Sequence, residues 1–261
     1  MSTRPRTRQP HAWGLKTRAL SGDLKKGLPR FVAPGQARAT RSLEVFSGLV
    51  DAATYSGPAT VDWRLSNALT PPRDQGPINS CTSCAVVGVV EALHFLQRHT
   101  RIRLAAGFIH TCLLGLDPQH GANPQDAIDA AAAHGIAYGF PGDYPYPPGH
   151  CATGNLYSIK QRVWLPGRNA TLGLVASQGP VVADMLIDPS FLKLGPGQIY
   201  KAPPAGDLRL HSVALVGFDL NGQSWIVANS FGPKWGDAGF GLVAFASGGL
   251  VDDRGAWQII L

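Results

Sequence analysis

Residues 75–93 read QGPINSCTSCAVVGVVEAL, and this stretch decides how the chain is interpreted. Turn-forming residues come first, and an apolar run with helical spacing follows them. We predict a helix over residues 81–98, with Ser80 as its N-cap. The apolar face of that helix consists of Val86, Val89, Val90, Leu93 and Leu96. Cys81 therefore lies in the first turn of the helix, and Cys84 lies one turn further along.

Three kinds of chemistry use such a C-x-x-C pair: a redox dithiol, half of a zinc site, or one nucleophilic thiolate. The N-terminus of a helix stabilises negative charge through its unpaired N–H groups, which favours a thiolate at Cys81. Cys84 is expected to be a small buried hydrophobic residue. Zinc needs about four ligands, and Cys112 and Cys151 are isolated, so we expect no metal. A thiol-disulfide redox protein stays open as an alternative, although no βαβ pattern surrounds the motif.

The composition is that of a chain with a substantial core, since 44% of its 261 residues are hydrophobic and 15% are charged. The sequence contains no apolar run of membrane-spanning length, so no membrane association is expected. No cofactor is expected either. The first 30 residues lack the apolar core of a Sec-type signal peptide. We therefore expect a protein that is cytoplasmic or exported by a non-classical route. We also expect it to be a monomer.

The positive charge is concentrated near the N-terminus. Residues 1–50 contain ten Lys or Arg and two acidic residues, whereas the rest of the chain contains thirteen basic and fifteen acidic residues. A basic arm of this kind binds nucleic acid, an anionic ligand such as a nucleotide, or an acidic surface of its own chain. The chain has no phosphate-binding loop that would support the nucleotide.

The order of predicted elements places helices before strands. A second helix is predicted over 124–135, with Asn123 as its cap, Pro124 at its first position and Gly135 as its stop. Strands are predicted at PVVADMLI (180–187), HSVALVGFDL (211–220), SWIVANS (224–230), FGLVAFA (240–246) and AWQII (256–260). This segregation predicts an α+β fold with a helical subdomain over 58–153 and a β subdomain over 154–261. A cleft between them is the expected place for an active site.

A nucleophilic cysteine needs a base and a residue that orients the base. His211 opens one predicted strand and Asn229 ends another, 130 and 148 residues after Cys81. With them, four stretches resemble, in order, motifs of the papain family of cysteine peptidases. They are ATVDWRLSNALTPPRDQG (59–76), QGPINSCTSCAVVGVVEAL (75–93), HSVALVGFD (211–219) and NSFGPKWGDAGFG (229–241).

This resemblance implies a papain-like fold, with a helical left domain and an antiparallel β-barrel-like right domain on either side of the cleft. It implies a cysteine endopeptidase in which Cys81 is the nucleophile and His211 is the general base, then acid. Asn229 would orient the imidazole without adding charge. The Gln75 side-chain amide and the backbone N–H of Cys81 would stabilise the oxyanion, and losing one such donor typically costs about 10²–10³ in rate.

The resemblance also implies a set of substrate-binding residues. Gly121 and Ala122 would form the backbone strip that pairs with an extended substrate. Asp184 would line the pocket for the second residue before the scissile bond, where it would favour a basic residue or narrow the pocket. Leu210 takes the place of a frequent Asp beside that pocket.

Several aromatic and cysteine positions follow the family pattern only in part. Trp235 matches the family tryptophan that shields the Asn–His contact, and Phe231 stands where a second tryptophan is usual. Ile78 and Gln119 replace one half-cystine pair, so the resemblance implies that this disulfide is absent. Cys112 and Cys151 match another family pair, and we expect them within bonding distance.

Residues 1–57 are interpreted as a basic N-terminal extension without a core of its own. LPRFVAPGQ (28–36) is predicted to be extended, and TRSLEVFSGLV (40–50) is predicted to form a short helix. We expect this extension to be an inhibitory pro-segment that lies along or near the cleft of its own chain. Bacterial family members with an unusual N-terminal segment, xylellain among them, are the expected nearest relatives. A non-catalytic peptide-binding homologue is the third alternative, besides the peptidase and the redox protein.

Overall fold

The computed structural model describes residues 54–139, 151 and 155–261, together with the backbone of residues 15–16. The predictions for residues 28–36 and 40–50 lie outside these residues.

The two helices predicted from the sequence are confirmed. Helix α1 spans Cys81–Arg98, and its buried face includes Val86, Val89, Val90 and Leu93. Helix α2 spans Pro124–His134 and ends at Gly135, whose φ of 81° explains why glycine stands there. Short helical turns occupy Trp63–Ser66, Phe108–Leu113, Pro189–Lys193 and Ser247–Gly249.

A third helix, α3, spans Gly167–Ser177 inside the half that the sequence predicted to be β. Its sequence, GRNATLGLVAS, contains two glycines and an asparagine, which weaken helical propensity. The helix is stabilised instead by burial of Leu172, Leu174 and Val175 in the core of the sheet. The helix-then-strand segregation is therefore looser than the sequence pattern predicted.

The strands follow the predictions closely, with additions. Chain order gives β1 (Leu15–Lys16), β2 (Thr60–Asp62), β3 (Ile136–Ala137), β4 (Leu156–Tyr157), β5 (Gln161–Leu165), β6 (Val181–Ile187), β7 (Ile199–Tyr200), β8 (Arg209–Asp219), β9 (Ser224–Ala228), β10 (Phe240–Ala244) and β11 (Ala256–Ile260). The five strands predicted after residue 150 correspond to β6, β8, β9, β10 and β11.

The large sheet has the order β5-β11-β6-β8-β9-β10-β7. Its pairings are antiparallel except for β10 with β7. The long strand β8 also pairs with β2 near its end and with β1 near its beginning, whereas β3 and β4 form a separate small sheet. Because β2 comes from the first half of the sequence, the chain crosses between the two subdomains before α1 begins.

Two large apolar clusters contain most of the buried core among the described residues. One lies within the β subdomain and includes Phe191, Phe218 and Trp225, all fully buried. The other joins α1 to the sheet, because Val86 and Val90 of α1 share it with Val216 of β8. The start of α1 is thus pressed against the strand that carries His211.

A buried ion pair anchors α1 to the segment that leads into it. The Glu91 carboxylate accepts hydrogen bonds from Arg73 at 2.5 and 3.2 Å, from Thr70 Oγ1 at 2.6 Å and from the Leu104 N–H at 2.6 Å. The side chains of Arg73 and Glu91 are 5% and 0% exposed. A pair removed this far from water is maintained by good geometry and full hydrogen bonding.

Hydrogen bonds join the two segments that a disulfide would connect in the family pattern. The Asn79 N–H donates to Pro118 O at 2.9 Å, and its side-chain amide donates to Gln119 O at 2.6 Å. The loop before Cys81 is therefore tied to the 118–119 segment without a covalent bond.

Among the described residues, none of the helices has the length and apolar character that crossing a membrane requires.

Candidate active site

Cys81 is the first residue of α1 and is 7% exposed. Burial raises the pKa of its thiol, whereas hydrogen bonds from the Ser212 backbone and from Thr82 lower that pKa. The negative charge of Asp184 adds to the raising. The unpaired N–H groups of the first helical turn favour the thiolate. Two effects on the pKa of the thiol therefore oppose each other: burial favours the neutral thiol, and the local hydrogen-bond donors favour the thiolate.

His211 and Asn229 are joined by a hydrogen bond that fixes the imidazole. The distance from His211 Nε2 to Asn229 Oδ1 is 2.7 Å. Asn229 Oδ1 also accepts the Ser230 backbone N–H at 2.8 Å, which identifies this atom as the amide oxygen. Nε2 must then carry a proton, and in the neutral ring Nδ1 is the basic nitrogen. Within the described part of the chain, Nδ1 has no hydrogen-bond partner.

The environment of His211 shifts its acidity strongly. Burial lowers the pKa of the imidazole to about 4, while the bond to Asn229 and the charge of Asp184 act in the opposite direction. Desolvation thus favours the neutral states of both His211 and Cys81. The N–H groups of the first turn of α1 act against that desolvation at Cys81, because they stabilise a thiolate.

Gln75 is oriented by three hydrogen bonds. Its backbone N–H donates to Ser230 O at 2.8 Å, its Nε2 donates to Ile78 O at 2.7 Å, and its Oε1 accepts from the Ser230 hydroxyl. An amide nitrogen carries two protons, so one N–H of Nε2 is left to donate to an oxyanion. Ser230, which the sequence analysis did not single out, orients both Gln75 and Asn229.

The aromatic cover of the His211–Asn229 bond differs from the expectation. The rings nearest the imidazole are Phe231, with centroids 5.0 Å apart, and Phe191, at 5.7 Å. Trp235 packs behind them, 4.9 Å from Phe191 and 6.1 Å from Phe231. The Trp235 indole N–H donates to Phe191 O at 2.7 Å, and the expectation that Trp235 shields the Asn–His contact stays a prediction.

Phe231 and Trp235 are 1% and 5% exposed, against 1% for His211 itself, and their place among the substrate-binding residues stays a prediction. They exclude water from the imidazole–amide hydrogen bond, which strengthens it in a low-dielectric setting. Phe191 was missed from the sequence because it lies in a short helical turn without any motif.

Three predicted substrate residues are brought together beside Cys81. Gly121, Ala122 and Leu210 line a small cavity together with Cys81 and Thr82. Asn79 and Ser212 complete its lining. The backbone strip at 121–122 and the start of β8 therefore face each other across the thiol, as an extended substrate would require.

Asp184 is partly buried on β6, opposite Ser212 of β8. The Ser212 hydroxyl lies 2.5 Å from Asp184 Oδ1. Burial raises the pKa of the Asp184 carboxyl to about 6, against the lowering effects of Ser212, Arg254 and His211. The carboxyl is thus engaged within the protein, and its predicted effect on the substrate pocket stays a prediction.

The four cysteines form one disulfide and two free thiols. Cys112 and Cys151 form a disulfide with a Cα–Cα distance of 5.3 Å. Cys81 and Cys84 are free thiols, and Cys84 belongs to the apolar cluster behind α1. Across residues 54–139, 151 and 155–261, no group of three or more His, Cys, Asp or Glu side chains is gathered as a metal site requires.

A buried thiol at a helix start, an imidazole in a fixed tautomer and a donor pair at Gln75 and the helix N-terminus define a class of site. Groups of these three kinds are what cysteine-dependent acyl transfer requires of a nucleophile, its base and an oxyanion hole.

Comparison with known proteins agrees with this class. The family model described as papain family cysteine protease matches residues 57–249, and the chain belongs to that family. Cysteine proteinase 3 of Entamoeba histolytica is 28% identical over 207 residues, which cover 75% of this chain and 65% of the relative. Probable cysteine protease RDL6 of Arabidopsis thaliana is 29% identical over 232 residues, which cover 85% of this chain and 63% of the relative.

The fold is also that of the family. The solved structure of digestive procathepsin L 3 from Tenebrio molitor larval midgut aligns with a TM-score of 0.67 at 26% identity. The alignment covers 81% of this chain and 73% of that protein. The chain spans less than two thirds of the length of each of the two sequence relatives. Those relatives are eukaryotic, so they give no support to the expected bacterial branch near xylellain.

Proposed function

We propose that this protein is a cysteine endopeptidase that hydrolyses peptide bonds through Cys81, His211 and Asn229. The observation that carries the proposal is the 2.7 Å bond from His211 Nε2 to an Asn229 oxygen that is identified by the Ser230 N–H. It leaves Nδ1 as the base on the strand packed against the nucleophile helix. A redox pair or a peptide-binding homologue would not need this tautomer.

The proposed reaction proceeds by acyl transfer. Nδ1 of His211 takes the Cys81 proton, and the thiolate attacks the carbonyl carbon of the scissile peptide. The oxyanion is stabilised by the Cys81 backbone N–H and the free N–H of Gln75. The imidazolium then gives its proton to the leaving amine, and water hydrolyses the thioester with His211 again as base.

The test is hydrolysis of fluorogenic dipeptide substrates in reducing buffer. Activity should depend on Cys81 and should disappear in Cys81→Ser, whereas Cys84→Ser should keep it. A folded chain that is inactive in every form, or a reversible Cys81–Cys84 disulfide as the only chemistry, would refute the proposal.

We further propose that the N-terminal segment inhibits the enzyme in cis. Support comes from β1, where Leu15 pairs with Leu210 and Lys16 pairs with Arg209. Leu210 directly precedes His211 and lines the cavity at Cys81, so this pairing places chain from the extension beside the site. The Tenebrio protein is a procathepsin, which also fits a pro-segment in this chain.

Autoinhibition is tested with paired variants of the full chain. Leu15→Pro with Lys16→Pro removes the backbone N–H donors of β1, whereas Leu15→Ala with Lys16→Ala keeps them. The proline pair should raise the turnover of the full chain, as should truncation to a chain beginning at Ala59, and the alanine pair should raise it less. Equal turnover in the proline pair, the truncated chain and the parent would contradict the inhibition.

Two further points remain part of the proposal. The Cys112–Cys151 disulfide favours export to an oxidising compartment over the cytoplasm. Placement in a bacterial branch of the family rests on the unusual N-terminal segment alone, and a phylogeny built on residues 57–249 would test it.

A further inference from the structure

Three polar side chains connect the two subdomains beside the catalytic residues. Thr82 follows Cys81 on α1, Ser212 follows His211 on β8, and Asp184 lies opposite Ser212 on β6. Ser212 Oγ is 2.5 Å from Asp184 Oδ1, and Thr82 Oγ1 is 2.7 Å from Ser212 Oγ. Thr82 Oγ1 is also 2.7 Å from the carbonyl oxygen of Ala122.

The protons available to these three short contacts can be counted. Each contact between two oxygens needs one proton. The hydroxyls of Thr82 and Ser212 supply one proton each, and the Ala122 carbonyl supplies none. An ionised Asp184 also supplies none, so one of the three contacts would then bring two lone pairs together. A protonated Asp184 supplies the third proton and satisfies every contact.

The direction of the complete chain is then determined. The Asp184 O–H donates to Ser212, the Ser212 O–H donates to Thr82, and the Thr82 O–H donates to Ala122 O. When Asp184 ionises, its carboxylate accepts a hydrogen bond from the Ser212 hydroxyl. The Thr82 hydroxyl has one proton and can donate it to Ser212 Oγ or to Ala122 O, but not to both. Either the hydrogen bond between the subdomains or the hydrogen bond to the substrate strip is then lost.

We propose that Asp184, Ser212 and Thr82 form a shared proton chain that positions the substrate strip at Ala122 and is complete only when Asp184 is protonated. Asp184 is thus a positioning residue, and the chain makes substrate binding sensitive to mildly acidic pH. This second consequence rests on the peptidase function proposed above, whereas the proton chain itself does not.

The surroundings of Asp184 are consistent with a proton that is bound in this range. Burial raises the pKa of its carboxyl to about 6. The charged or titratable groups acting on it are His211 on β8, Arg254 in the turn before β11, and Cys81 on α1. His211 and Arg254 favour the ionised carboxyl, so burial has to outweigh both.

The direct test follows the Asp184 carboxyl by ¹³C NMR in the full chain with Cys81→Ser, labelled at aspartate and assigned with Asp184→Asn. Thr82→Val keeps the shape of residue 82 and removes its hydroxyl. The single remaining proton of Ser212 can then satisfy the carboxylate, so the titration midpoint of Asp184 should fall. Burial alone predicts the opposite, because valine is less polar than threonine.

Ser83→Ala is the matched control, since Ser83 is buried on the next position of α1 and lies outside the chain of contacts. It should leave the Asp184 midpoint unchanged. A midpoint in Thr82→Val that equals or exceeds that of the parent would overturn the proposal. So would an Asp184 that titrates as an ordinary exposed carboxyl in the parent.

Activity provides the second readout. Loss of one hydrogen bond at the substrate strip should raise KM about fivefold between pH 5 and pH 7.5 in the parent. Asp184→Asn donates from its amide at every pH, so its KM should stay at the low value. A parallel rise in parent and Asp184→Asn would overturn the positioning role, while an absence of hydrolysis in all chains would count against the proposed function alone.

Discussion

The ion pair between Arg73 and Glu91 offers a sharp test of how the loop that carries Gln75 is supported. Arg73 lies two residues before Gln75, and its carbonyl oxygen accepts the Gly232 N–H at 2.8 Å. We predict that Glu91→Gln destabilises the fold strongly. The substitution keeps the size of the side chain, removes its charge and turns an N–H₂ group toward the donors of Arg73, Thr70 or Leu104.

The magnitude follows from the burial of both side chains. An unpaired guanidinium that is 5% exposed cannot be solvated, and breaking such a pair typically costs about 3–5 kcal/mol. With a urea slope of about 3 kcal/mol per M, the unfolding midpoint should fall by about 1–1.7 M. Urea denaturation of the full chain carrying Cys81→Ser, followed by tryptophan fluorescence, measures this shift without self-digestion.

Asp129→Asn is the matched control for the same chemical change at the surface. Arg162 donates two hydrogen bonds to Asp129, at 2.7 and 2.9 Å, but the Asp129 side chain is 54% exposed. Its loss should cost about 0.2–1 kcal/mol. If Glu91→Gln shifts the midpoint no more than Asp129→Asn, the argument from burial is refuted.

Three further predictions concern the disulfide, the aromatic cover and the pocket. Replacing Cys112 and Cys151 with serine opens a loop with a sequence separation of 39 and should cost about 4 kcal/mol; an unchanged thermal midpoint under oxidising conditions would contradict this. Phe231→Leu should admit water to the His211–Asn229 bond and lower kcat about fivefold, whereas Leu65→Ala, at a residue that is 83% exposed, should leave kcat unchanged. Asp184 is ionised above its pKa of about 6, so a preference for basic residues at the second substrate position should grow from pH 5 to pH 7; a dipeptide library showing no such growth, or the same growth in Asp184→Asn, would refute it.

Much of the fold was predictable because its signals are local. The boundaries of α1 follow from a run of apolar residues at helical spacing, and the end of α2 follows from Gly135. The β-branched runs after residue 180 likewise predict strands. Helix α3 has weak local signals and is stabilised by contacts that a single sequence does not reveal.

The residues of the candidate site also divide into those with a local sequence signal and those without one. Cys81, His211, Asn229 and Gln75 were predicted because each lies in a motif with known spacing. Phe191 contacts the imidazole from a segment without a motif, and its role depends on the folded arrangement. The contact of Thr82 with Ser212 bridges a separation of 130 residues, and only the pairing of α1 with β8 brings the two together.

The hydrogen bonds from Asn79 to the 118–119 segment have a consequence for how such an enzyme is activated. A thiol enzyme is kept active by reductants, and reductants also open disulfides. Here the loop before the nucleophile is tied by amide hydrogen bonds, which reductants do not affect. Only the more distant Cys112–Cys151 bond, among the described residues, is open to reduction. Reducing power sufficient to restore the Cys81 thiol therefore leaves the geometry around that thiol unchanged.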